Sequence, residues 1–233
     1  MRAVVTLLSL ASATSFAHDQ WLEVQASPSG VTGRLFLSDG TSVEELPRKP
    51  ERLARFELIT GDDLATFAGD AGVKPAGVAP PAPFLAAIYE SKPATLELTP
   101  TKFAAYLKED SVVAPPGFSL KGRTKPVTET YSRCLIAVRR EWGPVGCEFE
   151  LELRSLDPLV VVAHKSGRPV KGQVVFLKDR AGKALAKATT AADGTASFGH
   201  ARGHRVTAIL MTKGEDTDVR SFWAATTWPA DGR

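Results

Sequence analysis

CEFELELR, residues 147–154, alternates strictly between apolar and charged side chains. Successive side chains of a β-strand point to opposite faces, so the pattern predicts a strand with one face in a core and the other in water. Similar patterns, bounded by turn residues, recur along the chain. They predict further strands at 20–25, 33–37, 54–60, 84–90, 94–98, 127–140, 158–164, 172–178, 184–190, 195–200, 204–212 and 220–228. The chain is therefore predicted to be all-β.

One segment has a helical pattern instead. Thr99 can cap a helix, Pro100 suits its first turn, and apolar residues follow at positions 103, 106 and 107. We predict one short helix here that ends near Asp110. Prolines cannot donate hydrogen bonds to a sheet, so the proline-rich stretches 71–83 and 111–126 are predicted to be loops.

The order of these elements indicates two domains. Asp157 and Pro158 interrupt two well-patterned strands, and the strands that follow are joined by Gly-rich and Asp-Gly turns at short spacing. We predict two β-sandwich domains. The N-terminal domain, 18–154, contains the helix, and the C-terminal domain, 155–233, is immunoglobulin-like.

The first 17 residues have the layout of a secretory signal. Arg2 precedes an apolar run too short to span a bilayer, and the run is followed by small residues that end at Ala17. We predict that 1–17 is a signal peptide and that cleavage leaves His18 as the first residue. No later stretch has 18 consecutive apolar residues, so the mature chain is predicted to be periplasmic, without a transmembrane segment.

Composition and motifs argue against two classes of function. The 233 residues have a formal net charge of +3, and Lys and Arg are scattered, so no nucleic-acid partner is predicted. The sequence has no Gly-x-Ser-x-Gly elbow, no His-Glu-x-x-His pair and no phosphate-binding glycine loop. We therefore predict that the protein is not an enzyme.

Two cysteines, Cys134 and Cys147, are predicted to form a disulfide in an oxidising compartment. Their register is a difficulty. A hairpin centred on Gly143 would pair Cys147 with a residue near Arg139 instead of Cys134. Either a bulge shifts the ladder, or the bond joins the strands less directly.

Five stretches together resemble a periplasmic family of unknown function of the DUF4198 type, some of whose members are labelled as nickel-uptake transporter components. They are AHDQWLEV, TKFAAYLKED, ETYSRCL, GRPVKGQVVF with TTAADGTASF, and SFWAATTW. The resemblance covers nearly the whole mature chain. It implies an exported protein with an immunoglobulin-like C-terminal domain and a role in transition-metal handling. Members of the family often have a His where this chain has Leu210, so Leu210 is a candidate for a lost ligand.

His18 is the first candidate metal ligand. At a new N-terminus it offers its α-amino nitrogen and imidazole Nδ1, which together can chelate one metal ion. Such nitrogens suit Ni, Co, Cu or Zn, and Asp19 could add an oxygen. The alternative is that the signal peptidase simply tolerates a His at this position.

His200 and His204 are the second candidates. They flank Ala201-Arg202-Gly203, which has the length and composition of a three-residue hairpin loop. Histidines opposite each other at the ends of two paired strands could share a metal. Solvated loop histidines are the alternative.

Two functions follow from these patterns. The first is a periplasmic transition-metal-binding protein, an accessory of nickel, cobalt or copper uptake or handling that uses His18 and acts with a membrane transporter. The alternative is a non-catalytic β-sandwich interaction module that binds a protein or glycan partner. A copper oxygenase with an N-terminal histidine would need a second His held opposite the first and a substrate-binding surface.

Overall fold

The computed structural model describes residues 19–38, 42–61 and 63–229, so the predicted signal peptide and His18 lie outside the described residues. The first strands are β1 (Asp19–Ser27), β2 (Gly30–Ser38), β3 (Val43–Leu46), β4 (Leu53–Thr60), β5 (Asp63–Thr66), β6 (Gly77–Ala79), β7 (Ala86–Ser91) and β8 (Ala94–Leu98). After the helix α1 (Pro100–Glu109) come β9 (Val127–Val138), β10 (Phe149–Leu156), β11 (Leu159–Lys165), β12 (Arg168–Pro169), β13 (Val174–Lys178), β14 (Ala184–Thr189), β15 (Thr195–Gly199), β16 (Arg205–Lys213) and β17 (Val219–Thr227). A short 3-10 helix covers Pro50–Arg52.

The all-β prediction is confirmed, and every strand predicted from alternation is present. The short strands β3, β5, β6 and β12 were not predicted. Strand β6 lies inside the stretch 71–83, which was predicted to be a loop. It pairs with β2, and a Cβ at Gly77 would lie only 2.7 Å from the ring of Phe56, so glycine is needed for the strand to approach this closely.

A central nine-stranded sheet organises the molecule. Its strands follow the order β14-β13-β16-β17-β9-β7-β4-β5, and β8 also pairs with β9. Strands β17 and β9 run parallel, with Val219 opposite Glu129 and Thr227 opposite Ala137. The other pairs in this sheet are antiparallel.

Two smaller sheets cover the faces of the central sheet. We call β1, β2, β3 and β6 the first outer sheet, and β10, β11, β12 and β15 the second outer sheet. The first packs on a core that includes Trp21, Phe56 and Leu135, and α1 packs beside it on the same face. The second packs on the opposite face, around Phe149 and Phe222. The molecule therefore has three layers.

The two predicted sandwiches share the central sheet as a common layer. Residues 155–158, predicted to be a boundary, belong to a hairpin in which Leu156 pairs with Leu159. Strand β9, from the predicted N-terminal domain, and β17, from the predicted C-terminal domain, are hydrogen-bonded neighbours. Residues 155–158 are thus a turn instead of a linker, and the strands of the two predicted domains continue into one sheet through this pair.

The predicted helix is confirmed as α1. The side chain of Thr99 accepts a hydrogen bond from the backbone N–H of Lys102 at 3.3 Å, and Pro100 occupies the first turn. Phe103 and Tyr106 are buried against the central sheet, and Asp110 ends the helix. Within the described residues, no helix is both long enough and apolar enough to cross a membrane.

The disulfide between Cys134 and Cys147 is confirmed, and it joins two layers. Cys134 lies in β9 of the central sheet, while Cys147 precedes β10 of the second outer sheet, with Cα atoms 6.3 Å apart. The two cysteines are therefore not hairpin partners, which resolves the register difficulty in favour of a less direct connection. Both are buried in the core between these layers.

We predict that replacing both cysteines by alanine destabilises the protein without changing its fold. The disulfide closes a short loop, with a sequence separation of 13 residues, and a loop of about that size contributes roughly 3 kcal/mol. Urea denaturation should show this loss in the free energy of unfolding, with an unchanged far-ultraviolet circular dichroism spectrum. Wild-type protein in reducing agent is the control and should lose a similar amount. A loss below about 1 kcal/mol would contradict the prediction.

Candidate functional site

Strand β1 is held on the central sheet by an aromatic and ionic contact. Trp21 is fully buried, and the guanidinium carbon of Arg205 lies 3.8 Å from the centre of its ring. Arg205 is itself fully buried; its Nη1 donates to the backbone oxygen of Asp179 at 2.9 Å, and its Nη2 lies 3.7 Å from Asp19 Oδ2. The contact fixes where β1 begins.

A small cavity lies where β1 begins, between β1 and the end of α1. Its volume of about 20 Å³ is enough for one or two water-sized groups. We call it the N-terminal cavity. It is lined by Asp19, Gln20, Asp110, Arg133, Leu135, Phe176, Lys178, Thr207, Ala208, Ile209, Trp223 and Ala224. Four charged side chains thus converge on a space the size of an ion.

Asp110 and Arg133 are the unsatisfied members of this group. Asp110 Oδ2 and Arg133 Nε are buried and have no hydrogen-bond partner among the described residues. Burial raises the pKa of Asp110 from 3.8 to about 6; Lys178 opposes this rise, and the charges of Asp19 and Glu109 add to it. The carboxyl end of α1 is also an unfavourable place for a negative charge. A cation in the cavity would give Oδ2 a partner, lower the pKa of Asp110 and offset the unfavourable end of the helix.

Asp19, in contrast, already has its counter-ions. Lys178 Nζ donates to Asp19 Oδ2 at 2.5 Å, and the two side chains are only 11% and 15% exposed. Arg205 adds a second positive charge at 3.7 Å. The predicted role of Asp19 as an oxygen ligand would require it to leave Lys178, so Asp110 is the more available carboxylate.

Arg133 forms the floor of the cavity between two aromatic rings. Its guanidinium carbon lies 4.8 Å from the centre of the Tyr131 ring and 5.1 Å from that of Trp223. Tyr106 of α1 also stacks on Trp223, with an interplanar angle of 4°. The stack holds Arg133 by cation–π contacts instead of a carboxylate partner, and it connects the cavity floor to α1.

Glu23 lies further along β1, on the same side as Trp21. It accepts hydrogen bonds from Trp21 Nε1 at 2.9 Å, His204 Nε2 at 3.1 Å and Arg180 Nη2 at 2.8 Å. Burial alone would raise the pKa of Glu23, but the bonds from His204 and Trp21 and the charges of His204 and Arg180 lower it to about 2. This carboxylate is therefore ionised and fully engaged.

The structure does not bring His200 and His204 together. The residues between them connect β15 of the second outer sheet to β16 of the central sheet, so the prediction of a hairpin is wrong. His204 is largely buried beside Glu23, whereas the side chain of His200 is 83% exposed and its Nδ1 lies 2.5 Å from Asp157 Oδ1. The two imidazoles belong to different layers and do not share one site.

His18 lies outside the described residues, which begin at Asp19. Within residues 19–38, 42–61 and 63–229, no group of three His, Cys, Asp or Glu side chains is arranged to hold a metal ion. A metal site at the mature N-terminus would therefore depend on His18 for its nitrogen ligands. The metal-ligand roles of His18, His200 and His204 remain predictions.

Leu210 lies on the face opposite the N-terminal cavity. Ile209 lines the cavity, and its neighbour Leu210 packs against the core beneath the second outer sheet. A histidine at position 210 would point away from Asp19. Leu210 is therefore not a lost ligand of a site at this cavity.

Sequence reasoning missed Asp110, Lys178, Glu23 and Arg205. One signal was available for Glu23: alternation places Asp19, Trp21 and Glu23 on one face of a strand, so a large aromatic residue shares its face with two acids. Such a pattern indicates that the acids meet cations beneath the strand. No comparable signal marks Asp110, because an aspartate after a helix usually lies in solvent.

We predict that Glu23→Gln destabilises the protein in a pH-dependent way. The pKa of Glu23 is about 2 in the folded state, against 4.5 as its ordinary value, so its ionised form contributes stability above pH 4.5 that is lost as the pH falls towards 2. The difference between wild type and variant should be on the order of 3 kcal/mol at pH 7 and should vanish near pH 2. Urea denaturation at a series of pH values measures it. Glu97→Gln, at an exposed position of β8, is the control and should change stability by less than about 0.5 kcal/mol. A difference that does not depend on pH would contradict the assignment.

Comparisons with known proteins give no family. No family model matches the chain, and no curated protein matches it either. Among solved structures, the crystal structure of native alpha-2-macroglobulin from Escherichia coli spanning domains MG0-NIE-MG1 is matched over 89% of this chain and 97% of that chain, with 9% identity and a TM-score of 0.26. A likeness of this size carries no argument about function.

Proposed function

We propose that the exported chain binds a divalent transition-metal ion, Ni, Co, Cu or Zn, through His18 at its mature N-terminus. The observation that supports this proposal is the buried, unpartnered Oδ2 of Asp110 in the cavity that Asp19 also lines. His18 directly precedes Asp19 in the chain, so we propose that its donor atoms reach this cavity.

The residues present fit such an ion. His18 supplies an amine and an imidazole nitrogen once the signal peptide is removed, and these ligands favour first-row transition metals over Ca or Mg. Asp110 supplies an oxygen that has no hydrogen-bond partner among the described residues. Asp19 stays paired with Lys178 and so contributes no net negative charge. The proposed ligands are thus His18 and Asp110, with water or a partner completing the coordination.

Metal binding at this site depends on pH. The pKa of Asp110 is raised to about 6, an unperturbed imidazole titrates near 6.5 and an α-amino group near 8, so protons compete with a metal for all three groups. Affinity should therefore begin to fall as the pH drops below about 8 and should fall more steeply below about 6.

The biological role that we propose is that of a periplasmic accessory of nickel, cobalt or copper uptake, acting with a membrane transporter. Residues 1–17 support export, and the disulfide is compatible with an oxidising compartment. The role is one of binding, since the charged groups of the cavity surround a space of only about 20 Å³, which is too small for an organic substrate.

The decisive experiment is isothermal titration of Ni²⁺, Cu²⁺ and Zn²⁺ into protein whose N-terminus is shown by intact mass to be His18. We expect a dissociation constant in the micromolar range or tighter for at least one of these ions, and a loss of at least about tenfold when one residue precedes His18. Asp110→Asn should also weaken binding at least about tenfold, while His200→Ala, at an exposed position, should not change it.

The controls decide between the possible outcomes. Equal binding by the mature and extended forms would overturn the proposal for His18 and move the site elsewhere. Binding that depends on His18 but is unchanged in Asp110→Asn would remove Asp110 from the ligand set. Absence of binding by every form would leave the interaction module as the better hypothesis.

We also predict that Asp110→Asn stabilises the metal-free protein. Because the folded state raises the pKa of Asp110 from 3.8 to about 6, its ionised form costs stability above pH 6, and this cost disappears as the pH falls to about 4. The variant should gain on the order of 2 kcal/mol at pH 7.5 and nothing near pH 3.5. Thermal unfolding in the presence of a chelator measures this gain. Added Ni²⁺ should raise the melting temperature of the wild type more than that of the variant. A destabilised variant at pH 7.5 would contradict the prediction.

A further inference from the structure

A second candidate site lies further along β1, and it does not depend on the proposed metal site. Glu23 and Val24 line two adjoining hollows of about 230 and 330 Å³. Phe84, Trp228 and Pro229 line the first, Arg34 and Phe36 line the second, and Arg180 borders both. We call the two hollows together the arginine groove. Their combined size falls in the range of small-molecule sites.

Each arginine of the groove has a carboxylate beside it: Glu23 lies 2.8 Å from Arg180, and Glu45 lies 3.4 Å from Arg34. Among the described lining residues Glu23 is the only carboxylate, and Trp21, His204 and Arg180 already occupy both of its oxygens. Its low pKa of about 2 shows that this charge is well compensated. The carboxylate that lines the groove is therefore fully engaged, and the carboxylate of Glu45, whose buried Oε1 has no hydrogen-bond partner among the described residues, lies behind Arg34.

Both arginines of the groove have N–H donors that are not used in their ion pairs. The side chain of Arg180 is 70% exposed, and its contact with Glu23 uses Nη2. Arg34 lies directly opposite Glu23 in the pairing of β1 with β2. Its Nη1 reaches Glu45 at 3.4 Å, but its buried Nε has no hydrogen-bond partner among the described residues. A buried donor that lacks an acceptor favours a ligand that supplies one.

The remaining walls are apolar. Phe36 and Val24 lie beside the arginines, and the rings of Phe84 and Trp228 are at the other end of the groove. An anion that used the arginines alone would leave these surfaces in water. A ligand with an apolar body would cover them, and the planar guanidinium fork matches the two oxygens of a carboxylate.

We propose that the arginine groove binds a small organic carboxylate with an apolar body. Arg34 and Arg180 hold the carboxylate, and Phe36, Val24 and Trp228 contact the body. His204 and Trp21 contribute by keeping Glu23 engaged, so that its charge does not oppose the ligand.

The proposal is tested with probe compounds on the full mature chain. Phenylacetate, hippurate and octanoate are titrated while the ¹H–¹⁵N shifts of arginine side chains and tryptophan indoles are recorded. We expect at least one of the three to bind saturably below about 1 mM, and phenylacetamide, the neutral analogue of phenylacetate, to bind at least about tenfold more weakly. Inorganic phosphate tests the anionic part of the ligand and benzene tests its apolar body. Each should bind more weakly than the best of the three carboxylate probes.

Variants assign the site. Arg180→Gln and Arg34→Gln should each weaken binding of the best probe at least about tenfold. Arg154→Gln is the matched control, because Arg154 is an exposed arginine paired with Glu152 outside the groove, and it should leave binding unchanged. Circular dichroism checks that each variant is folded. Binding that survives both groove substitutions, equal binding of phenylacetamide or phosphate, or no saturable binding of any probe would overturn the proposal. Metal affinity at His18 should be the same in these variants, so failure here is separate from failure of the proposed function.

Discussion

The position of β1 depends on the burial of Arg205 against Trp21. A fully buried guanidinium is costly unless its charge is compensated, and here the Trp21 ring and Asp19 do so. Nη1 donates to the backbone oxygens of residues 179 and 180, whereas Nε and Nη2 have no hydrogen-bond partner among the described residues. These partners come from β1 and from the turn after β13, so the contact joins the start of the chain to its C-terminal half. The N-terminal cavity and the arginine groove lie on either side of it, because Asp19 and Glu23 flank Trp21 at two-residue spacing. Both candidate sites are thus consequences of one docking contact.

The strands of this fold could largely be predicted from the sequence, but their neighbours could not. Alternation marks a half-buried strand wherever one face is apolar, which is why CEFELELR and the last strand were placed correctly. It says nothing about which strands pair. The parallel alignment of β17 with β9 brings residues about ninety positions apart into register and makes one layer serve two sandwiches. Short strands such as β6, with its Gly77, are strands because of their partners and carry no periodic signal of their own.

The candidate sites were less predictable, for a related reason. A histidine is visible in a sequence, but its partner is set by packing: His204 meets Glu23 across 181 positions, and His200 meets Asp157 in the solvent. The hairpin expected between the two histidines failed because β15 and β16 join different sheets. Asp110 looks like an ordinary residue after a helix, yet its Oδ2 is buried at a cavity that residues distant in the sequence also line.

Glu23 and Asp110 show how one fold treats two acids on the same side of its central sheet. Glu23 has three donors and a pKa of about 2, whereas Asp110 has an unpartnered oxygen and a pKa of about 6. Lys178 lies in the same cavity as Asp110, but it donates its hydrogen bond to Asp19. A buried carboxylate that lacks a cation weakens the fold at neutral pH unless something positive joins it. A cation bound beside Asp110, as we propose for the metal held by His18, would give Asp110 the compensation that Lys178 gives to Asp19.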